Sequence, residues 1–190
     1  MIEVRLGGRR RIDRVLDPAY AQGVADRSLD EVRALRDDAA QEETDLSYLR
    51  RLLHVRIDIV RAEQHRRAEG SSTTVVDQLA SILASNTLRS GNGSGPGRFS
   101  TLEPSRAEAH RRHVEALISD VDLSNVGALP DEKLAQALVT YLNEEASVSQ
   151  RRREVQAVVD LLNDEIANRY RRRAASVDDL LNAQRAQRAE

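Results

Sequence analysis

From Ser28 to Glu69 the chain runs without a single Gly or Pro, and Gly70 then stops it. A run of that length suits one element, an α-helix of about 40 residues and roughly 60 Å at ~1.5 Å per residue. Ser28-Leu29-Asp30-Glu31 opens it as a capping box, in which hydroxyl and carboxylate each satisfy an orphan backbone donor. Leu46, Leu49, Leu53, Ile57 and Val60 step by three or four, a seam for a partner helix. Leu52, Val55 and Ile59 form a second stripe that asks for another neighbour or a binding partner. A second run starts at Pro130, a favoured first helical position, and continues to about Arg173 with apolar residues at Leu134, Leu138, Leu142, Val148, Val155, Val159, Leu162 and Ile166.

Composition agrees with helices. Charged residues make up 32% of the 190 and aromatics only 3%, too few for a sheet-based core. The fold class expected is all-α, an antiparallel coiled-coil helical hairpin with short accessory helices. The segments read as an irregular 1–27, a first long helix over 28–70, a short amphipathic helix within 71–89, a flexible Gly/Ser linker over 90–104, a short helix and loop over 105–129, the second long helix over 130–174, and a short C-terminal helix or tail over 175–190 that Ser176 can cap.

Several functions fall away. No Cys means no thiolate metal site, disulfide or Cys nucleophile. A formal net charge of -2 argues against general DNA or membrane-surface binding, and no apolar run approaches the ~20 residues that span a bilayer. Met1 to Arg11 carries charges and no apolar core of a signal peptide, so a cytoplasmic location is expected. The Gly-rich stretch at 91–97 lacks the Lys-Ser/Thr ending of a phosphate-binding loop. His110 and His113 stand three apart without an adjacent carboxylate stripe, a weak basis for a metal site. Nothing assembles a nucleophile, base and oxyanion donor, so no enzyme is expected.

The informative feature is a repeated set of polar residues. The first long helix carries Glu43, Ser47, Arg50, His54 and Asp58; the second carries Glu145, Ser149, Arg152, Gln156 and Asp160, each 102 positions after its counterpart. At ~100° per residue each set falls in one stripe about 80° wide, bordering the seam. One such stripe could be a solvated face with helpful ion pairs. Two copies are another matter, because the apolar positions between them have drifted while four of the five polar ones are identical. The stripe is expected to be solvated in the free protein, so that substitutions there leave melting nearly unchanged.

Arg offers a planar fork that bonds the guanine O6 and N7 edge and stacks on a purine face. Asp and Glu accept from the guanine ring N–H and exocyclic amine, and Ser donates to phosphate or ribose oxygens. Two copies on antiparallel helices suit a guanine nucleotide with approximate two-fold symmetry.

These residues resemble the signature of the RsiG family of actinobacterial anti-sigma factors, Glu-x3-Ser-x2-Arg-x3-Gln-x3-Asp once on each long helix. Glu145-Ser149-Arg152-Gln156-Asp160 matches it in full, and Glu43-Ser47-Arg50-His54-Asp58 matches with His in the Gln position. The flanking RIDRVLDPAYAQGVADRSLDEVRALRDDA (11–39) and SYLRRLLHVRIDIVRAE (47–63) are also similar to the family's N-terminal half. The resemblance implies that these ten residues bind a dimer of cyclic di-GMP. It also implies a WhiG-like sigma factor as partner, sequestered when the nucleotide completes the interface. No direct DNA binding or membrane association is expected. His54 places a titratable group at one contact, making the second copy the less pH-sensitive half. The competing reading is a helical scaffold or adaptor that binds protein without nucleotide.

Overall fold

The computed structural model describes residues 2–70 and 123–187. Helix α1 spans Arg11–Val15, a 3₁₀ turn follows at Val24–Asp26, and α2 runs Leu29–Glu69. A second 3₁₀ segment at Leu123–Ala128 leads into α3, Asp131–Gln187. Among the described residues there is no strand, and α2 and α3 pack against one another as an all-α hairpin. The helix expected within 74–88, the linker over 90–104 and the helix opening at Ser105 lie outside the described residues.

The ends of α2 follow from local chemistry. The Ser28 hydroxyl accepts from the Glu31 amide at 3.3 Å, and the Glu31 carboxylate accepts from the Ser28 amide at 2.7 Å, closing the capping box. Gly70 ends the helix at φ 63, a left-handed turn that glycine adopts without steric cost. Just before it, Glu63 is buried under Arg66 and Arg67, and Arg67 continues to Asp131 at 2.5 Å and to the Gly127 carbonyl at 3.1 Å. This clamp ties the end of α2 to the start of α3. The two guanidinium groups hold the Glu63 carboxyl down to about 2, Arg66 foremost, against the upward pull of burial.

Leu46, Leu49, Leu53 and Val60 from α2 meet Leu134, Val148, Val155 and Leu162 from α3, all fully buried. Leu52, Val55 and Ile59, the second stripe, are half-buried.

Two expectations need correction. Helix α3 does not end near Arg173 to let Ser176 cap a separate helix; its backbone continues unbroken to Gln187. No Gly or Pro after Pro130 interrupts it, and a serine inside a helix loses the competition with the helical backbone that it wins at a true start.

The second concerns 1–27, whose described residues are irregular apart from α1 and the 3₁₀ turn but pack on the hairpin. The N-terminal segment is a folded strap. Ile2, Ile12, Val15 and Val24 join the hairpin core, with Ile12 fully buried. The Ile2 amide donates to Ser147 Oγ at 3.0 Å, and Arg151 donates to the Ile2 carbonyl at 3.2 Å. At the other end Arg169 donates to the carbonyls of Arg27 (2.8 Å) and Val24 (2.7 Å). Between them Arg11 pairs with Asp38 at 3.2 Å and with buried Asp45 at 2.9 Å.

A turn at Gly7-Gly8 wraps the buried Asp13 carboxylate, which takes the Arg5 amide at 2.9 Å and the Arg10 guanidinium at 2.6 Å. Arg10 holds the Asp13 carboxyl below the usual range although burial pushes it up. A Cβ at Gly8 would run into that carboxylate, so the turn needs glycine there for space.

With Glu43 and Glu145 as zero and ~100° per residue, the buried seam residues lie at about −20° to −120°, with Leu46 and Val148 at about −60°. Asp38, Asp45, Ser147, Arg151 and Arg169, which hold the strap, lie at about −120° to −160°, and the motif residues at about −20° to +60°. The hairpin therefore has two opposite faces. The strap covers one, and both motif copies share the other.

Candidate functional site

The motif face is built by the antiparallel pairing itself. Stepping forward on α2 steps backward on α3, so two copies on the same side of the seam meet head to tail. Arg50 Nε donates to Glu145 Oε1 at 3.0 Å, and Arg152 Nη1 donates to Glu43 Oε1 at 3.1 Å. Each guanidinium thus pairs with the glutamate of the other copy. Within a copy, Ser47 Oγ donates to Glu43 Oε1 at 3.0 Å and Ser149 Oγ to Glu145 Oε1 at 2.6 Å. These equivalent bonds describe an approximate two-fold axis through the face.

The symmetry breaks at the fourth position. His54 Nε2 lies 2.9 Å from Glu145 Oε1, across the seam. Its counterpart Gln156 stays on its own helix and donates to Asp160 Oδ1 at 3.0 Å. Arg50 Nε also reaches Ser149 Oγ at 2.9 Å, whereas Arg152 Nε is buried with no acceptor among the described residues.

Electrostatics follow from the same contacts. Burial pushes the Glu145 carboxyl up, but donors from Ser149, His54 and Arg50 outweigh it and hold the group below the usual range. Side-chain exposure is 41% at Arg50, 30% at Arg152 and 28% at His54, so the stripe is half-buried. The expectation of a solvated stripe is corrected here. Arg and Glu seven apart on one helix cannot touch, but each finds its partner on the neighbouring helix, and that pairing draws both toward the seam.

All ten residues singled out from the sequence are on this face. Nine of them take part in the bonds just described, exposed Asp160 by accepting from Gln156; Asp58 is half-buried one turn beyond His54. What sequence reasoning missed is the cross-pairing, although the constant offset between copies on antiparallel helices carries that signal. It also missed the strap anchors Arg11, Arg151 and Arg169, which have no periodic pattern to reveal them.

The face is open and shallow and offers guanidinium, carboxylate, hydroxyl and amide groups. That set can bond a purine edge, ribose and phosphate, yet it encloses little of any ligand. Among the described residues no helix is long and apolar enough to cross a membrane. No curated protein matches the chain. The model of a family described as RsiG-like matches residues 18–83 and 120–184, which include both motif copies and most of the strap's second half. With more than half of its length matched, the chain belongs to the RsiG-like family.

Proposed function

We propose that this protein is an anti-sigma factor that binds a dimer of cyclic di-GMP on the motif face and sequesters a WhiG-like sigma factor. The observation that carries the reading is the approximate two-fold arrangement of the two motif copies on one open face of the hairpin. A ligand that is itself two-fold, with guanine edges and phosphates, complements that face. The buried Arg152 Nε adds a donor in need of an acceptor.

A shallow face holds a nucleotide weakly until a second surface closes over it, because only then is most of the ligand removed from water. The nucleotide therefore acts as adhesive between hairpin and sigma factor, and mass action ties sequestration to nucleotide concentration. In this reading Arg50 and Arg152 bond or stack on guanine, Asp58 and Asp160 accept from its Watson–Crick donors, and Glu43 and Glu145 orient the arginines. Ser47, Ser149, His54 and Gln156 serve phosphate, ribose or base edges. The protein performs no reaction; its output is the fraction of sigma factor held.

Isothermal titration of cyclic di-GMP into the full chain, with and without the sigma factor, tests this. Binding should be weak alone and strongly enhanced by the partner, and Asp160→Ala should lose the enhancement. Equal heats for wild type and Asp160→Ala would return the chain to the scaffold reading.

A further inference from the structure

The fourth motif position differs between the copies in more than residue type. Glu145 Oε1 faces three donors, Arg50 Nε at 3.0 Å, Ser149 Oγ at 2.6 Å and His54 Nε2 at 2.9 Å, whereas its counterpart Glu43 Oε1 takes Ser47 Oγ and Arg152 Nη1. One carboxylate oxygen has about two lone pairs to offer, so His54, Arg50 and Ser149 compete for the same acceptor. A carboxylate only accepts, so the ring nitrogen facing it carries the hydrogen, and Nδ1 is left to take an added proton.

The charge of the face gives that proton a direction. Of the ten motif residues four are carboxylates (Glu43, Asp58, Glu145, Asp160) and two are guanidinium groups (Arg50, Arg152), with Arg61 farther along the same stripe and Arg51 and Arg153 at its edge. The groups around His54 are Arg50, Arg51 and Asp58 one turn away on α2, and Glu145 from α3. An anionic phosphodiester laid beside His54 meets the carboxylates of Glu145 and Asp58, and imidazole is the side chain whose charge changes between about pH 5 and 8. Protonated His54 adds a positive charge to the face. It also claims Glu145 fully, which releases Arg50 toward the ligand.

Resting on the nucleotide reading above, we propose that His54 makes the first half of the face a proton-coupled anion site, so that an anionic phosphodiester binds together with a proton on His54. The protonated fraction rises on binding. The extra affinity is therefore present at low pH and is lost as pH rises. The second copy, with Gln156 bonded to Asp160, contributes no such dependence at its fourth position.

The test uses the full chain with the sigma factor at fixed concentration and cyclic di-GMP as the probe, with affinity measured at about pH 6, 7 and 8 for wild type and His54→Gln. Wild type should tighten as pH falls, by less than about tenfold per unit, the ceiling for one linked proton. His54→Gln should give a flatter dependence, which also removes the contribution of the other histidines from the comparison. Imidazole NMR of the wild-type chain should show His54 protonating at higher pH with nucleotide than without. Equal pH dependence in wild type and His54→Gln, or a His54 titration indifferent to nucleotide, would overturn the proposal while leaving the nucleotide reading intact. Absence of binding at every pH overturns both.

Discussion

The strap face and the motif face belong to the same hairpin and lie within one turn of the same seam, yet they are stabilised differently. On the strap face, apolar anchors are sealed and charges are buried in pairs: Ile12 is fully buried, and Asp13 and Asp45 are nearly so beside Arg10 and Arg11. On the motif face, charges also pair across the seam, but they remain half-exposed and no element of the described chain lies over them. A buried ion pair becomes costly when one partner is removed, whereas an exposed one contributes about 0–1 kcal/mol. The first face is therefore committed to the fold. The second keeps its bonding groups exchangeable, as a surface for a ligand must.

The seam is common to both, and breaking it should erase the distinction. Leu53→Asp places an unpaired charge in a fully buried position and should cost more than about 4 kcal/mol. Thermal melting followed by circular dichroism should show loss of helicity well below the wild-type transition. A variant that melts like wild type would mean that the helices do not pair along this stripe.

Ile12→Ala separates the faces. A buried isoleucine reduced to alanine typically costs about 2–5 kcal/mol, and here the loss falls on the strap alone. The expected result is a lower melting temperature with the ligand response of the motif face retained at temperatures where the variant is folded. Loss of both together would show that the strap also shapes the motif face through the hairpin.

The two faces also differed in how far the sequence revealed them. Helix α2 was legible because its signals are local: the Ser28–Glu31 box, a period of three to four from Leu46 to Val60, and Gly70 after the last turn. The motif face was legible because two copies at one offset exposed it. The strap was not, since α1 has five residues and no period, and its burial depends on Ser147, Arg151 and Arg169 far along the chain. Its signal was compositional: Ile2, Val4, Ile12, Val15, Leu16, Tyr20 and Val24 are too many apolar residues for a solvated tail. The end of α3 was misjudged for the opposite reason, a local capping residue outweighed by an uninterrupted helical run.

Arg152→Ala sharpens the contrast from the other side. The side chain makes one cross-seam bond, to Glu43, and is part-exposed, so its removal should lower stability by about 1 kcal/mol or less. Its effect on nucleotide-dependent partner binding should be larger, about 2–5 kcal/mol, because in the closed complex the pairing is desolvated. Melting and titration on the same variant check both numbers. A large loss of stability would move Arg152 into the committed class, with the strap residues.

The smallest expected effect compares two serines at equivalent positions. Ser149 donates to Glu145 and accepts from Arg50, so it joins both members of one cross-seam pair. Ser47 donates to Glu43, and Arg152 bonds that glutamate directly through Nη1. Ser149→Ala therefore removes a hydroxyl that aligns a guanidinium as well as a carboxylate, and should weaken ligand binding by about 1 kcal/mol, the usual net value of one neutral hydrogen bond. Ser47→Ala should cost less, since Arg152 keeps its glutamate without help from the serine. Parallel titrations of the two variants at fixed sigma factor measure the difference. If Ser47→Ala costs as much as Ser149→Ala, the two halves of the face act alike in the complex, and the asymmetry seen in the free protein is one that the ligand erases on binding.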